Sequence, residues 1–145
     1  MTSERLGRII NLKSLTKEQL EAEAKQTREE LRIEKEKLER LENLLAETMK
    51  KYTDSQEPGV LNQGKINLFH DYIIHIEEKL RKQKRVVQKK REILMGKEKE
   101  LTKAYREKRL LEILQDNTFK EEIRESLIKE QKEMDLEFIM RRLRV

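Results

Sequence analysis

The fold is decided by residues 20–48, LEAEAKQTREELRIEKEKLERLENLLAET. Their apolar members recur with heptad spacing, in which positions a and d of each seven-residue repeat face a partner helix and form a seam. The a positions are Ala24, Leu31, Leu38 and Leu45, and the d positions are Leu20, Thr27, Glu34, Leu41 and Thr48. This seam, apolar but interrupted by polar residues, predicts a long helix in a coiled coil.

A second heptad pattern follows residues 53–64, TDSQEPGVLNQG, which contain the only proline and two of the four glycines of the chain. Such a cluster predicts a loop. Beyond it the a positions are Ile73, Leu80, Val87, Leu94 and Leu101, and the d positions are Ile76, Gln83, Lys90, Lys97, Ala104 and Leu111. Because the d positions are polar through the middle of this helix, we expect a weaker seam there.

We predict a single coiled-coil domain over residues 1–145, with helix one at about 4–52, the loop at 53–64 and helix two at about 65–143. Thr16 begins a capping-box pattern, yet Leu6 and Ile10 continue the helical spacing upstream, which favours an uninterrupted first helix. A second capping-box pattern begins at Thr118, so we expect a kink or a restart of the helix near 116–118.

Two long helices joined by a short loop pack most simply as antiparallel neighbours. Residues 20–47 contain nine acids and six bases, whereas residues 79–91 contain eight bases and no acid. An acidic helix facing a basic helix would select this pairing and its register. The predicted fold class is therefore all-α, with two long helices in an antiparallel coiled-coil hairpin and the second helix longer than the first. Residues beyond about 120 then extend past the first helix, fold back or meet a partner.

The composition separates the chain from ordinary globular domains, because 43% of its residues are charged and only 35% are hydrophobic. There is no cysteine, which excludes a disulfide framework and a thiolate metal site. The sequence has no apolar run of the length of a signal peptide or a membrane span. We therefore expect a cytoplasmic protein without direct membrane insertion.

The sequence contains no phosphate-binding glycine loop and no zinc-protease helix pattern. His70 and His75 lie five residues apart, a spacing that does not place both on one metal ion. We accordingly expect no enzymatic activity, no metal and no cofactor. The basic residues 79–91 could neutralise phosphates, but they lack interleaved aromatic residues and have an acidic helix to pair with, so nucleic-acid binding is not expected. The narrow apolar stripe without tryptophan also argues against a helix embedded in a membrane surface.

Large apolar residues that the seam does not need gather at both ends of the predicted hairpin. Near the loop these residues are Leu44, Tyr52, Phe69, Tyr72 and Ile74. They either cap the hairpin locally or form a docking patch. At the terminal end the apolar residues are Leu6, Ile9, Ile10, Met134, Phe138, Ile139 and Met140, followed by the basic residues Arg141 and Arg142. This end is suited to insertion into the central hole of a ring.

The chain resembles the family of the flagellar export protein FliJ, a coiled-coil component of the type III export apparatus, over nearly its whole length. The resemblance includes residues 6–52 as the first helix and the segment YIIHIE at 72–77. The segment EKRLLEIL at 107–114 is similar to the family's Lys/Arg-x-x-Leu-Glu-x-Leu stretch and is followed by EQKEMD at 130–135. Family members commonly place a second acid directly after this aspartate, whereas this chain has Leu136 and then Glu137.

The resemblance implies a stalk similar to the γ subunit of rotary ATPases, with its terminal helices inserted in the hexameric export ATPase, whose assembly and activity it promotes. The ATPase-binding candidates are Leu6, Ile9, Ile10, Lys13, Met134, Ile139, Arg141 and Arg142. The loop end would contact the cytoplasmic domain of the export gate, with candidates Leu41, Leu45, Tyr52, Tyr72, Ile76 and Gln83. The protein would also handle export chaperones and associate peripherally with the export apparatus at the inner membrane.

Two alternatives remain open on the sequence alone. Stalk proteins of virulence injectisomes have a similar pattern and the same task in another secretion system. A self-associating coiled-coil scaffold is the second alternative, because another copy could complete the polar seam and the long C-terminal helix.

Overall fold

The computed structural model describes residues 2–55 and 63–144, and these form two helices, α1 at Ser3–Ser55 and α2 at Gln63–Leu143. The predicted all-α fold is confirmed, with two antiparallel coiled-coil helices and the second longer than the first. Both helices begin and end within three residues of the predicted bounds. Residues 53–55 and 63–64 of the predicted loop are helical, and residues 56–62 lie outside the described residues.

The two capping-box patterns inside the helices do not mark helix starts. Helix α1 is continuous from Ser3, as favoured from the sequence, and the Thr16 hydroxyl donates a hydrogen bond of 3.1 Å to the Leu12 carbonyl within it. Helix α2 is likewise continuous through residues 116–118, so the expected restart there is wrong. Both hydroxyl-bearing residues lie where the backbone N–H groups already have helical partners, and a side-chain cap is not needed.

The chain divides into two compact units: unit 1 is Met1–Leu20 with Glu100–Val145, and unit 2 is Glu21–Lys99. In unit 2 the predicted seam closes, since its a and d residues are buried or half-buried on both helices. The fully buried members are Ala24, Thr27, Leu31, Thr48, Ile76, Leu80 and Val87. The seam therefore forms the core of unit 2.

Three contacts fix the antiparallel register of unit 2. The rings of Tyr52 and Phe69 meet edge to face with their centroids 5.7 Å apart. The Gln83 amide donates hydrogen bonds to the Glu34 carboxylate at 2.6 Å and to the Glu34 carbonyl at 2.9 Å. The Lys90 ammonium donates to Glu30 at 2.8 Å. Because the partner number falls on α2 as it rises on α1, the helices run in opposite directions.

Most polar members of this seam form hydrogen bonds. Thr27 and Thr48 donate to carbonyls of their own helix, those of Glu23 at 2.9 Å and Leu44 at 2.7 Å. The hydrogen bond from Gln83 holds the pKa of Glu34 below its usual value of 4.5. Unsatisfied polar groups in a seam would oppose pairing, whereas satisfied ones specify a register.

Unit 1 continues the same heptad. Leu6, Ile10 and Ala104 are buried between α1 and α2, and Lys13 forms an ion pair of 3.1 Å with Glu107. The Lys17 ammonium lies 4.2 Å from the centre of the Tyr105 ring, a cation–π contact. Residues 3–20 of α1 are thus packed antiparallel on α2.

The pairing in unit 1 ends in a polar contact between Ser3 and Glu122, which we call the terminal clamp. The Glu122 carboxylate accepts hydrogen bonds from the Ser3 hydroxyl at 2.7 Å and from the Ser3 backbone N–H at 2.9 Å. These bonds, that of the hydroxyl foremost, lower the pKa of Glu122. Gln115 donates to the Ser3 carbonyl at 3.1 Å. A carboxylate of α2 therefore caps the first turn of α1.

The acidic segment of α1 and the basic segment of α2 face each other as expected, but few ion pairs join them. An ion pair between Glu30 and Lys90 joins the two segments. Within α1, however, Arg32 forms ion pairs with Glu29 and Glu36, and Lys37 forms one with Glu34. Charged residues three or four positions apart on one helix are already neighbours and need no partner helix. Neither described helix contains a segment apolar and long enough to cross a membrane.

Candidate protein-binding surfaces

Every described residue after Glu122 has an exposed side chain, although α2 remains helical to Leu143. We call residues 123–144 the terminal segment. Its large apolar residues are Ile123, Leu127, Ile128, Met134, Leu136, Phe138, Ile139, Met140 and Leu143, with exposed fractions from 45% to 81%. A helix that exposes so many apolar side chains presents a surface for another molecule.

The apolar side chains of the terminal segment lie on two faces of the helix. Since each residue turns an α-helix by about 100°, Ile123, Leu127, Met134 and Phe138 fall within one stripe. Leu136, Ile139 and Leu143 form a second stripe on the opposite side, and this stripe continues the a and d positions of the seam. A helix with apolar residues on opposite faces is typical of one that other protein surfaces surround.

Charged groups accompany the first stripe near its end. Arg141 forms an ion pair of 2.9 Å with Glu137, and the Arg142 guanidinium lies 6.0 Å from the centre of the Phe138 ring. Met134, Phe138 and Arg141 line a concavity of about 350 Å³ together with two acidic residues. The segment therefore offers an apolar strip with a basic end.

The residues predicted to bind the ATPase are divided between this segment and the seam of unit 1. Met134, Ile139, Arg141 and Arg142 are exposed in the terminal segment. Leu6 and Ile10 are 1% and 9% exposed and lie in the seam, where Ile9 is half-buried beside them. Lys13 is held by Glu107. A partner could reach Leu6 and Ile10 only after the two helices separated.

A second surface lies near the start of α2, and we call it the loop-end surface. It is a concavity of about 580 Å³ lined by Ser55, Lys65, Leu68, Phe69 and Tyr72. Leu68 is 70% exposed and Tyr72 is 46% exposed. The walls are mainly apolar, as in a protein-binding site.

Of the residues predicted to bind the gate, Tyr72 lies on the loop-end surface. Tyr52 supports it from α1 through its contact with Phe69. Leu41 and Leu45 are half-buried in the seam, and Ile76 is 1% exposed. Gln83 is bound to Glu34. The structure thus places most of this set in the packing between the helices and one of its members on an accessible surface.

Sequence reasoning missed Leu68 and Lys65, which complete the loop-end surface. Both lie outside the a and d positions. Leu68, an apolar residue outside the seam beside Phe69, was the sequence feature that could have indicated this surface. His70 and His75 are exposed. Among residues 2–55 and 63–144 no group of three or more His, Asp or Glu side chains is arranged to hold a metal ion.

The described residues thus define a two-helix coiled-coil protein that exposes apolar residues in the terminal segment and at the loop-end surface. The model of the flagellar FliJ protein family matches residues 2–144. The chain therefore belongs to the FliJ family, whose members are stalk-type components of flagellar protein export. No curated protein and no solved structure matches it.

Proposed function

We propose that this protein is a stalk that inserts its terminal segment into the hexameric flagellar export ATPase and promotes the assembly and activity of that ring. The observation that carries the proposal is the pair of apolar stripes on opposite faces of residues 123–144. One stripe would suit a flat docking site. Two stripes suit an environment that contacts the helix from several sides, as the central hole of a ring does.

The geometry of unit 1 supports a particular set of contact residues. Packing against α1 ends at the terminal clamp, so the terminal segment is accessible without separating the helices. Phe138, Met134 and Ile139 are the anchors, because large exposed apolar side chains contribute most when a partner buries them. Arg141 and Arg142 bring positive charge to acidic loops of the ring.

The test measures ATP hydrolysis and hexamer formation by the purified flagellar export ATPase as this protein is added. The test variant is Met134→Ser with Phe138→Ser. The matched control is Leu12→Ser with Leu110→Ser, whose side chains are 65% and 67% exposed, against 70% and 64% for the test pair. All four residues are exposed, so both variants should retain wild-type helix content by circular dichroism.

We expect the wild type and the control to raise hydrolysis and hexamer formation. The test variant should need a concentration at least about tenfold higher, because truncating two interface anchors costs more than about 1.4 kcal/mol. The proposal fails if the wild type leaves both quantities unchanged, or if the control variant is impaired as much as the test variant.

The loop-end surface is proposed to bind the cytoplasmic domain of the export gate, with Tyr72 and Leu68 as the contact residues. Its test compares Tyr72→Ala with Ile93→Ala, since Tyr72 and Ile93 are 46% and 47% exposed on the same helix. Gate binding measured by calorimetry should weaken for the first and persist for the second. Equal loss in both would contradict the proposal. Export chaperones are further proposed partners.

Self-association is a second candidate function, favoured by the stripe of Leu136, Ile139 and Leu143. These residues continue the seam heptad beyond the end of α1, and a second copy could cover them. Sedimentation velocity over a wide concentration range decides between the candidates. A concentration-independent monomer excludes the scaffold and leaves the stalk.

A further inference from the structure

Residues 79–91 carry a concentration of positive charge that the stalk function does not use. Their formal charge of +8 exceeds the +5 of the whole chain. Seven of the eight basic side chains are exposed, and Lys90 alone is half-buried. We call the exposed seven the basic belt. They are Lys79, Arg81, Lys82, Lys84, Arg85, Lys89 and Arg91.

The hairpin does not neutralise this charge. Lys90 is bound to Glu30, but none of the basic-belt side chains forms an ion pair with a residue in 2–55 or 63–144. On the facing part of α1, Glu29 and Glu36 are paired with Arg32 of the same helix and Glu34 with Lys37. The belt therefore keeps its charge in the folded protein.

The register even brings like charges together. Arg28 on α1 pairs with Glu98 on α2 at 3.3 Å across one flank of the seam. One heptad further along α1 and one heptad back along α2, the same flank carries Lys35 opposite Arg91. Like charges at facing flank positions oppose pairing. The stability of the hairpin therefore does not explain why these bases are concentrated on one stretch of α2. Binding of an external anion does explain it.

The arrangement of the belt favours an extended anionic surface over a nucleic acid. The bases span about 20 Å of helix and lie at b, c, e, f and g positions, so several faces outside the seam are positive. A DNA major groove admits a single helix, whereas α1 is packed along the seam side of this one. Residues 79–91 contain no aromatic side chain on which bases could stack.

Two exposed apolar side chains on one face of α2 fit the same partner. Val86 lies within the belt and Ile93 follows it one heptad later, and they are 37% and 47% exposed. At a lipid surface such side chains can touch the boundary between headgroups and acyl chains while the lysine and arginine heads remain among the phosphates. No insertion of the helix is required.

We propose that the basic belt binds the surface of a membrane containing anionic phospholipids, with unit 2 lying against the headgroups. Clusters of four to eight bases on a helix are typical of such sites, and each adds roughly fivefold to membrane partitioning at low salt. The site involves neither the terminal segment nor the loop-end surface. It is thus independent of the proposed ATPase and gate contacts.

The experiment is flotation of the full chain with vesicles of phosphatidylcholine containing about one quarter phosphatidylglycerol, or none. The belt variant replaces Arg81, Lys82, Arg85 and Lys89 with glutamine. The control variant replaces four exposed bases outside the belt with glutamine, which are Arg106, Lys120, Lys129 and Lys132. Each variant lowers the net charge by the same amount, and all the substituted side chains are exposed, so both should keep the wild-type helix content.

Wild type and control should float with the anionic vesicles and not with pure phosphatidylcholine, and the binding should weaken as salt rises. The belt variant should bind on the order of several hundredfold more weakly, since four bases are removed. Three results would overturn the proposal: equal binding to uncharged vesicles, equal loss in the control variant, or displacement from anionic vesicles by duplex or single-stranded nucleic acid at substoichiometric amounts.

Discussion

Units 1 and 2 are built from the same two helices and the same heptad, yet they differ in how much apolar surface they leave open. Among the described residues, unit 1 has 16 of the 25 exposed large hydrophobic side chains, although it is the smaller unit, and unit 2 has nine. Both seams contain polar residues, and that of unit 2 has Gln83 and Lys90 at its centre. Nine of the 16 exposed side chains of unit 1 lie beyond Glu122, in the part of α2 where every described side chain is exposed. The terminal segment therefore accounts for the difference between the units.

The strongest test of this difference introduces the same charge into the seam and into the terminal segment. Ile76→Asp buries a carboxylate at a position that is 1% exposed, and we expect it to destabilise unit 2 by more than about 3 kcal/mol. Ile139→Asp, at a position 53% exposed, should change stability by less than about 0.5 kcal/mol. Urea denaturation followed by circular dichroism measures both. Similar losses would mean that the terminal segment is packed in solution.

Gly7 and Gly96, two of the three described helix glycines, provide a second comparison between the units. A methyl group at Gly96 in unit 2 meets no atom within 4 Å, so Gly96→Ala should stabilise the protein by about 1 kcal/mol through helix propensity. At Gly7 in unit 1 the new Cβ would lie 3.0 Å from the Gln115 amide nitrogen. Gly7→Ala should therefore gain less, or lose, because Gln115 must move from Ser3. Thermal denaturation of both variants should show a higher midpoint for Gly96→Ala.

Removing the terminal clamp should act locally in unit 1. Glu122→Ala deletes the acceptor of both Ser3 hydrogen bonds, and the first turn of α1 should fray. Hydrogen exchange at the amides of residues 5–8 should accelerate, while exchange in unit 2 stays unchanged. The control is Glu121→Ala, which removes a neighbouring exposed carboxylate. If exchange at residues 5–8 accelerated in this variant as well, the effect would come from the loss of a negative charge and not from the terminal clamp.

The smallest expected effect is a pH dependence shared by both units. Hydrogen bonds from Lys90, Gln83 and Ser3 lower the pKa values of Glu30, Glu34 and Glu122. The unfolded chain then binds protons more readily, so these groups stabilise the fold above their usual pKa of 4.5 and lose that contribution as pH falls through the lowered folded values. In Gln83→Leu, NMR titration should show the pKa of Glu34 moving up and that of Glu122 unchanged. An unchanged Glu34 would contradict the assigned cause.

Heptad spacing was sufficient to predict both helices and the side chains that pack between them. The reason is that side chains at the a and d positions of a coiled coil face the partner helix and become buried, whichever helix that partner is. Heptad spacing also contained a signal that the site prediction did not use. Leu6 and Ile10 are d and a positions of the same heptad as Ala24, and this phase places them in the seam. Their assignment to an external partner came from the resemblance and stays a prediction.

The ion pairs were harder to predict than the helices, because the numbers of acidic and basic residues in two segments do not determine which side chains pair. Arg32 could have crossed to α2 and instead binds Glu29 and Glu36, because neighbours on one helix pair without ordering a second one. The hydrogen bonds between Ser3 and Glu122 could not be predicted from the sequence either, because they depend on the relative register of two helices far apart in sequence.

The terminal clamp also acts as a ruler. It fixes the relative register of the two helices, and in this register 21 residues of α2 lie beyond Glu122, about 32 Å of helix. Sliding α1 along α2 by one heptad would change that length by about 10 Å. One polar contact between residues 119 positions apart in sequence therefore determines how much of α2 is left without α1 beside it.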